Sequence, residues 1–366
     1  MNEFKKVSLQ DFVTLQRGFD LPSHQRTPGN VPVVASTGIS SWHNEAKVKA
    51  PGVVIGRSGS IGGGQFLEQD FWPLNTTLYV KDFKGNNPRF AYYVLKLIDF
   101  SAFNAGAGVP TLNRNHIASI EVISFERGIQ DRIASVLAHY DSAIANCRRQ
   151  IALLEEAAMR LYKEWFKDGK GERKTLGDLI VEIESGSRPR GGAVKSGIPS
   201  IGAEKIDGIG NYDYTGEKFV SREYFDRMKR GKIQDEDILL YKDGAYCGKV
   251  SMVLDGFPHK EAATNEHVFI LRTDRHSAFL YCFLRQRKSF ELLNKLACNK
   301  AAQPGLNQQD VLGVKIVIPQ QDDMESFENM VMPVMHTIAF HANQIRALTE
   351  ARDRLLPKLM KGEIAV

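Results

Sequence analysis

The feature that most constrains this chain is that it repeats itself. Val7-Ser8-Leu9-Gln10-Asp11-Phe12 returns as Lys174-Thr175-Leu176-Gly177-Asp178-Leu179, and Val31-Pro32-Val33 returns as Ile198-Pro199-Ser200. Further on, Gly52–Gly59 resembles Asp237–Gly244, Asn75–Val80 resembles Asn265–Ile270, and Phe90–Leu95 resembles Phe279–Leu284. Pro110-Thr111-Leu112-Asn113 resembles Pro304-Gly305-Leu306-Asn307. Each match is weak alone, but their common order along the chain identifies two homologous halves. The separation between partners grows along the chain, so the second copy carries insertions, mainly around 205–235.

Each half ends in a long heptad stripe. The first runs through Ile133, Leu137, Tyr140, Ile144, Cys147, Ile151, Leu154, Ala158, Leu161 and Trp165. The second runs through Phe327, Val331, Val334, Ile338, His341, Ile345, Leu348, Arg352, Leu355 and Leu359. Sustained spacings of four and three predict a coiled coil. The alternative is a surface helix packed on its own domain, and the narrowness of the stripe in both halves argues against it. Two such helices in one chain pair most simply with each other, antiparallel. At ~1.5 Å per residue the first stripe spans roughly 50 Å, a rod that would hold the globular parts apart. Pro333 is expected to kink or break the second helix, and Pro357 to end or bend it near Leu355-Leu356. His341 and Arg352 occupy seam positions. They are read as its wet edge, with register specification as the alternative.

The globular parts read as mixed α/β. Short β-branched runs at 52–55, 77–80, 120–123, 237–240, 250–254, 268–271 and 314–318 are punctuated by Gly, Pro and Asn, and helices are expected at 89–98 and 277–295. The expected organisation is a tandem of α/β (mixed α+β) modules separated by two long antiparallel coiled-coil helices. Module one covers 1–126, the first helix 127–168, module two 169–321 and the second helix 322–360, with a tail at 361–366. A length of 366 residues agrees with about two domains. The 43% hydrophobic and 25% charged content excludes a disordered or collagen-like chain. The absence of a long apolar run predicts no transmembrane helix, and the polar start predicts no secretory signal. Cys147, Cys247, Cys282 and Cys298 form no C-x-x-C pair and read as reduced thiols of a cytoplasmic protein. A net charge of +5 permits a polyanionic partner without demanding one.

Catalytic motifs fail one after another. Gly56–Gly64 is neither G-x-G-x-x-G nor a P-loop. Gly244-Ala245-Tyr246-Cys247-Gly248-Lys249-Val250 is one spacer short of a P-loop and has Val250 where a magnesium-binding hydroxyl is needed. Both segments fall at equivalent points of the two halves, which favours a shared hairpin or bulge. Asn87-Pro88-Arg89-Phe90 resembles the Asn-Pro-Pro-Phe/Tyr motif of amino-methyltransferases, but Arg89 departs from it and no Gly-rich cofactor motif precedes it. The histidines show no H-x-x-x-H or H-E-x-x-H ligand spacing, so no metal site is expected.

Two divergent copies of a mixed α/β module, each followed by a long heptad helix, resemble the specificity (S) subunit of type I restriction–modification systems. The resemblance covers essentially the whole chain. Its most specific marks are Ile345–Ile364, the segment Asp237-Ile238-Leu239-Leu240-Tyr241-Lys242-Asp243-Gly244, and Leu306-Asn307. The first module departs more from the pattern, with Gly56-Arg57-Ser58-Gly59 where Lys242-Asp243-Gly244 stands in the second. The resemblance implies two target recognition domains, each reading one half of a bipartite site in double-stranded DNA. It implies helices that set the spacer and dock two modification (methyltransferase) subunits, with restriction/translocase subunits joining for cleavage. The chain itself would then catalyse nothing. S-adenosylmethionine, ATP and Mg would sit on partner subunits, with none bound by this chain and no membrane involved.

Base edges call for Arg/Lys and Asn/Gln, and phosphates for further cations. The expected DNA-binding residues in the first module are Arg17, Arg26, Arg57, Ser58, Asn113 and Arg114. In the second they are Arg188, Arg190, Lys195, Lys242, Lys249, Asn299, Lys300, Gln303 and Asn307. Taken singly, each reads equally well as a solvated surface group. Two rival readings stand beside this one. The first is a specificity subunit of a type II split-site restriction–methylation enzyme. The second is a non-DNA coiled-coil scaffold, which predicts no duplex affinity and no steep salt dependence.

Overall fold

The structure, a computed structural model, describes residues 4–106, 108–299 and 304–366. In the first half the elements are β1 (Phe4–Ser8), α1 (Leu9–Phe12), β2 (Thr14–Arg17), β3 (Val31–Ala35), β4 (Gly38–His43), β5 (Gly52–Gly56), β6 (Gly62–Leu67), β7 (Trp72–Pro73) and β8 (Thr77–Asp82). They are followed by α2 (Pro88–Leu97), α3 (Arg114–Ile117), β9 (Glu121–Phe125) and the long helix α4 (Arg127–Trp165). The second half comprises β10 (Glu172–Thr175), β11 (Ile180–Ser185), β12 (Ile198–Ile201), β13 (Phe219–Val220), α5 (Arg222–Arg227), β14 (Ile238–Tyr241), β15 (Val250–Met252), β16 (Ala263–Thr264) and β17 (Val268–Thr273). After these come α6 (Ser277–Arg285), α7 (Arg287–Cys298), α8 (Gln308–Leu312), β18 (Lys315–Ile318) and the long helix α9 (Gln321–Met360).

The repeat is complete at the level of topology. The first module contains sheets ordered β2-β8-β5-β6, β4-β3-β7 and β1-β9, and the second contains β11-β17-β14-β15, β13-β12-β16 and β10-β18. Strand for strand these are the same three sheets. In each, the central pairings are antiparallel, and one short parallel pair (β3–β7, β12–β16) closes the small sheet. The expected strands are all present. The helix expected over 277–295 is two helices, because Gln286 is extended (ψ 139°) and breaks α6 from α7.

The chain divides into two compact units that cut across both long helices: Met1–Ala143 with Leu348–Val366, and Ile144–Ala347. Within the first unit, Ile133 and Leu137 of α4 share one core with Leu356, Leu359 and Met360 of α9, and Leu355 packs against it. Within the second, Ile151 and Ala158 of α4 share a core with Phe327, Val331, Met335 and Ile338 of α9. Leu154, Leu161 and Ile345 are half-buried against that core, Ile144 is buried, and Leu348 is half-buried.

Four expectations about the second long helix need correction. The α9 stripe follows Val331, Met335, Ile338 and Ala342, all buried, so Val334 and His341 give way to their neighbours Met335 and Ala342. Helix α9 runs without interruption through Pro333, which is exposed. It also continues past Pro357 and ends in a Schellman turn: Gly362 has φ +71°, Gly362 N–H donates to Leu359 O (3.1 Å), and Glu363 N–H donates to Lys358 O (2.9 Å). Arg352 is not at a wet edge. Its side chain is 14% exposed and its Nη1 lies 2.7 Å from Asp141 of α4. That paired charge favours the register reading.

Each module is anchored to α4 by a buried tyrosine. In the first unit Tyr93 donates its hydroxyl to Asp141 (2.5 Å), and burial raises the phenol's pKa far above its ordinary value. In the second, Tyr281 donates to Glu155 (2.8 Å), which also pairs with Arg285 (2.8 Å). The insertion of the second module is tied in at the same point: Ile209 N–H donates to the Tyr281 hydroxyl (2.8 Å). A Cβ on Gly210 would meet Ile338 at 2.7 Å and Ile151 at 3.2 Å, so glycine lets this loop lie directly on both helices. All four cysteines are free thiols. Among the described residues no helix is long and apolar enough to cross a membrane.

Candidate nucleic-acid interface

The Gly-rich segment of the first module is the turn of the β5–β6 hairpin, with a bulge between Val54 and Gly56. A Cβ on Gly56 would stand 2.0 Å from Ser60 O, so the turn closes only on glycine. Backbone bonds then fix the residues that follow. Arg57 N–H and Ser58 N–H donate to Thr76 O (2.8 and 3.1 Å), Gly59 N–H to Pro110 O (3.0 Å), and Leu112 N–H to Arg57 O (2.7 Å). The Arg57 guanidinium spends one N–H on Asn75 O (3.1 Å). Its remaining donors have no partner among the described residues. It lines an open groove of about 850 Å³ with Gln16, Arg17, Thr111, Asn113 and Arg114. Four of the expected residues therefore meet in one groove, and Ser58 lies beside it. Asn113 also caps α3, its Oδ1 accepting from Asn115 N–H (3.0 Å). Arg26 stands apart: it donates to Leu21 O and to Ser41 Oγ (2.8 Å), bracing its own loop.

The second module reproduces the scaffold. Lys242 N–H donates to His267 O (3.1 Å), Gly244 N–H to Pro304 O (3.1 Å), and Leu306 N–H to Lys242 O (2.9 Å). The chemistry placed on it differs. Lys242 Nζ lies over the Phe269 ring (4.8 Å) and 3.7 Å from Asp243. Asp243 meets His267 (3.1 Å), His267 meets Glu266 (3.4 Å), and Glu266 meets Arg188 (2.8 Å). Here the cation is embedded in a chain of polar and ionic contacts, where Arg57 is nearly free. Lys249 pairs with Asp207 (2.9 Å) and lies over the ring of Tyr246, which is 57% exposed. Asn307 caps α8 in a reciprocal box with Asp310 (2.9 and 2.8 Å). Asn299 is exposed just past α7, Lys195 is exposed, and Lys300 and Gln303 lie outside the described residues.

Arg188 and Arg190 open onto a second groove of about 1030 Å³. Its other wall carries Tyr224, Arg227, Lys229 and Arg230. These residues fall in the insertion, where no repeat partner pointed to them. Tyr246 is not among the residues the sequence singles out, because its segment reads as a Gly-rich hairpin turn. Its exposure between Lys242 and Lys249 is legible only in three dimensions.

Residues 1–156 match the family model of the Type I restriction modification DNA specificity domain. The Type I restriction enzyme MjaIX specificity subunit of Methanocaldococcus jannaschii is 27% identical over 311 residues, 76% of this chain and 69% of that protein. The Type I restriction enzyme HindI specificity subunit of Haemophilus influenzae is 31% identical over 122 residues, 33% of this chain and 26% of that protein. The crystal structure of a type I S subunit from M. genitalium has the same fold: its TM-score is 0.65 at 16% identity, covering 98% of this chain and 96% of that one. With a specificity-domain match over residues 1–156, a specificity-subunit relative along three quarters of its length, and a duplicated module that carries the same turn twice, the chain is similar to the specificity subunits of type I restriction–modification systems.

Proposed function

We propose that each module reads one half of a bipartite site in double-stranded DNA, with the β5–β6 turn and its counterpart after β14 facing base edges. The observation that carries this reading is the duplicated turn. Two modules hold a cation, Arg57 or Lys242, at the same backbone position, fixed by the same bonds to the Pro110 and Pro304 loops. A rigid, extended donor beside a groove suits direct readout of a guanine edge. The differing surroundings of the two cations suit two different half-sites. Helices α4 and α9 set the spacing of the halves and offer docking surface to two modification subunits. S-adenosylmethionine, ATP and Mg act on those partners and on restriction/translocase subunits, in the cytoplasm, while this chain catalyses nothing.

Comparing the methylomes of cells with and without this gene, partner genes being expressed, tests the reading. The expected result is a bipartite adenine-methylated motif that vanishes on deletion. Loss of no motif would contradict it. Pull-down of the natural partner separates this reading from a type II split-site assembly.

A further inference from the structure

Among the described residues, the first module shows no counterpart of the groove that the insertion helps to build. Its base is a backbone crossing. A Cβ on Gly231 would stand 2.3 Å from Gly186 Cα, and one on Gly186 would stand 1.6 Å from Thr264 O. Thr264 N–H donates to Gly231 O (2.9 Å) and Gly186 N–H to Thr264 Oγ1 (3.1 Å). Only glycines let the strands touch this closely, so the two walls diverge from a fixed root. A second cross-link joins them higher up, where the Tyr224 hydroxyl meets Ser187 Oγ (2.7 Å) and Ser187 O (3.3 Å). The groove is thus held open by its own backbone.

Its walls are cationic, and only part of the charge is spent on internal pairs. Arg222 is paired with Glu261 (2.8 Å), Arg227 with Glu223 (3.5 Å) and Arg188 with Glu266 (2.8 Å). Arg190, Lys229 and Arg230 are exposed and have no ionic or hydrogen-bond partner among the described residues. Three like charges facing one rigid groove repel one another unless an anion neutralises them. In the first module the corresponding chain, after the equivalent glycine Gly18, reads Phe19-Asp20-Leu21-Pro22 where the second reads Ser187-Arg188-Pro189-Arg190. There Phe19 packs on Trp72 and Tyr79, and Asp20 accepts from Asn75. The same place is therefore aromatic and acidic in one module and basic in the other.

We infer that this insertion groove grips the phosphate backbone of DNA beside the second module's half-site, giving that module a sequence-independent hold that the first lacks. The inference rests on the DNA-reading role proposed above. Phosphate contact fits better than base contact, because the cations ring an open groove and are separate from the locked turn at Lys242.

The test is a salt titration of duplex binding by the full chain assembled with its modification subunits, on a mixed-sequence duplex and on the methylated motif. The triple variant Arg190→Gln/Lys229→Gln/Arg230→Gln is compared with wild type, and the variant Arg190→Lys/Arg230→Lys keeps the charge. Each lost phosphate contact lowers the slope of log K against log salt by about 0.9. The triple variant is expected to lose about 2.7 of slope on both duplexes, so its deficit shrinks about 40-fold from 50 to 200 mM salt. The lysine variant is expected to behave as wild type. An unchanged slope, or weakening confined to particular base pairs, overturns the phosphate grip while leaving the reading role intact. Failure of the wild-type assembly to bind any duplex overturns both.

Discussion

The two modules share their sheets, a tyrosine anchor to α4 and an asparagine cap, and they differ in much of their remaining polar chemistry. Where the first module anchors α2 with its own Asn87, which accepts Arg89 N–H and Phe90 N–H (both 2.9 Å), the second lets Glu328 of α9 accept from Ala278 and Phe279 at the start of α6 (2.8 and 3.2 Å). Apolar Val53, Ile55, Leu78 and Val80 fill the first main sheet. The second adds Arg272, which binds Asp237 (2.7 Å), Glu182 (2.7 Å) and Glu184 (2.9 Å). Strand order and backbone bonds thus define the scaffold, and side-chain chemistry is free to diverge upon it. That is the behaviour expected of a duplicated reader whose halves read different sequences.

The largest expected difference concerns Arg272. Asp237 is 1% exposed, so Arg272→Met leaves a buried carboxylate without its partner. The cost should be about 3–5 kcal/mol in the second unit alone. Calorimetry that resolves two transitions should show the second unit's melting fall while the first's stays. Equal loss in both would break the comparison and make the units one cooperative body.

A smaller effect concerns pH. Burial beneath α6 pushes the Glu328 carboxyl up to about 7. Its folded value then exceeds the ordinary carboxylate value of 4.5, so the folded chain holds the proton more tightly than the unfolded one. The stability from this group is full below about pH 4.5, declines as pH rises, and is gone above about pH 7, a change of up to about 3 kcal/mol. Asn87 does not titrate and gives the first unit no such slope. Melting curves between pH 5 and 8 should show the slope in the second unit, and Glu328→Gln should flatten it. A slope that survives Glu328→Gln would place its origin elsewhere.

Much of this fold is legible in the sequence because repeats and heptads are periodic signals. The strands at Gly52–Gly56 and Ile238–Tyr241 stand out as β-branched runs bounded by glycine, and α4 stands out as a stripe. The α9 stripe is read one residue off around Val334 and His341 because Met335 and Ala342 offer an equally periodic alternative, and only packing chooses between them. Pro333 misleads for a related reason: it faces solvent on a helix whose other face is held by Val331 and Met335, so tertiary burial outweighs the lost hydrogen bond. Arg17, Arg57, Asn113 and Arg114 are identifiable as candidates, since the repeat marks their loops. Arg227, Lys229 and Arg230 are not, because an insertion has no partner to compare with.

The claim that each module reads its own half-site is tested most directly by measuring how the assembled complex binds single-base variants of both halves, for wild type, Arg57→Ala and Lys242→Ala. A lost guanine contact should remove about 1–3 kcal/mol of discrimination at one base pair. The account predicts that Arg57→Ala relaxes one half only and Lys242→Ala relaxes the other. Relaxation of the same half by both variants, or uniform weakening across all variants, would contradict it.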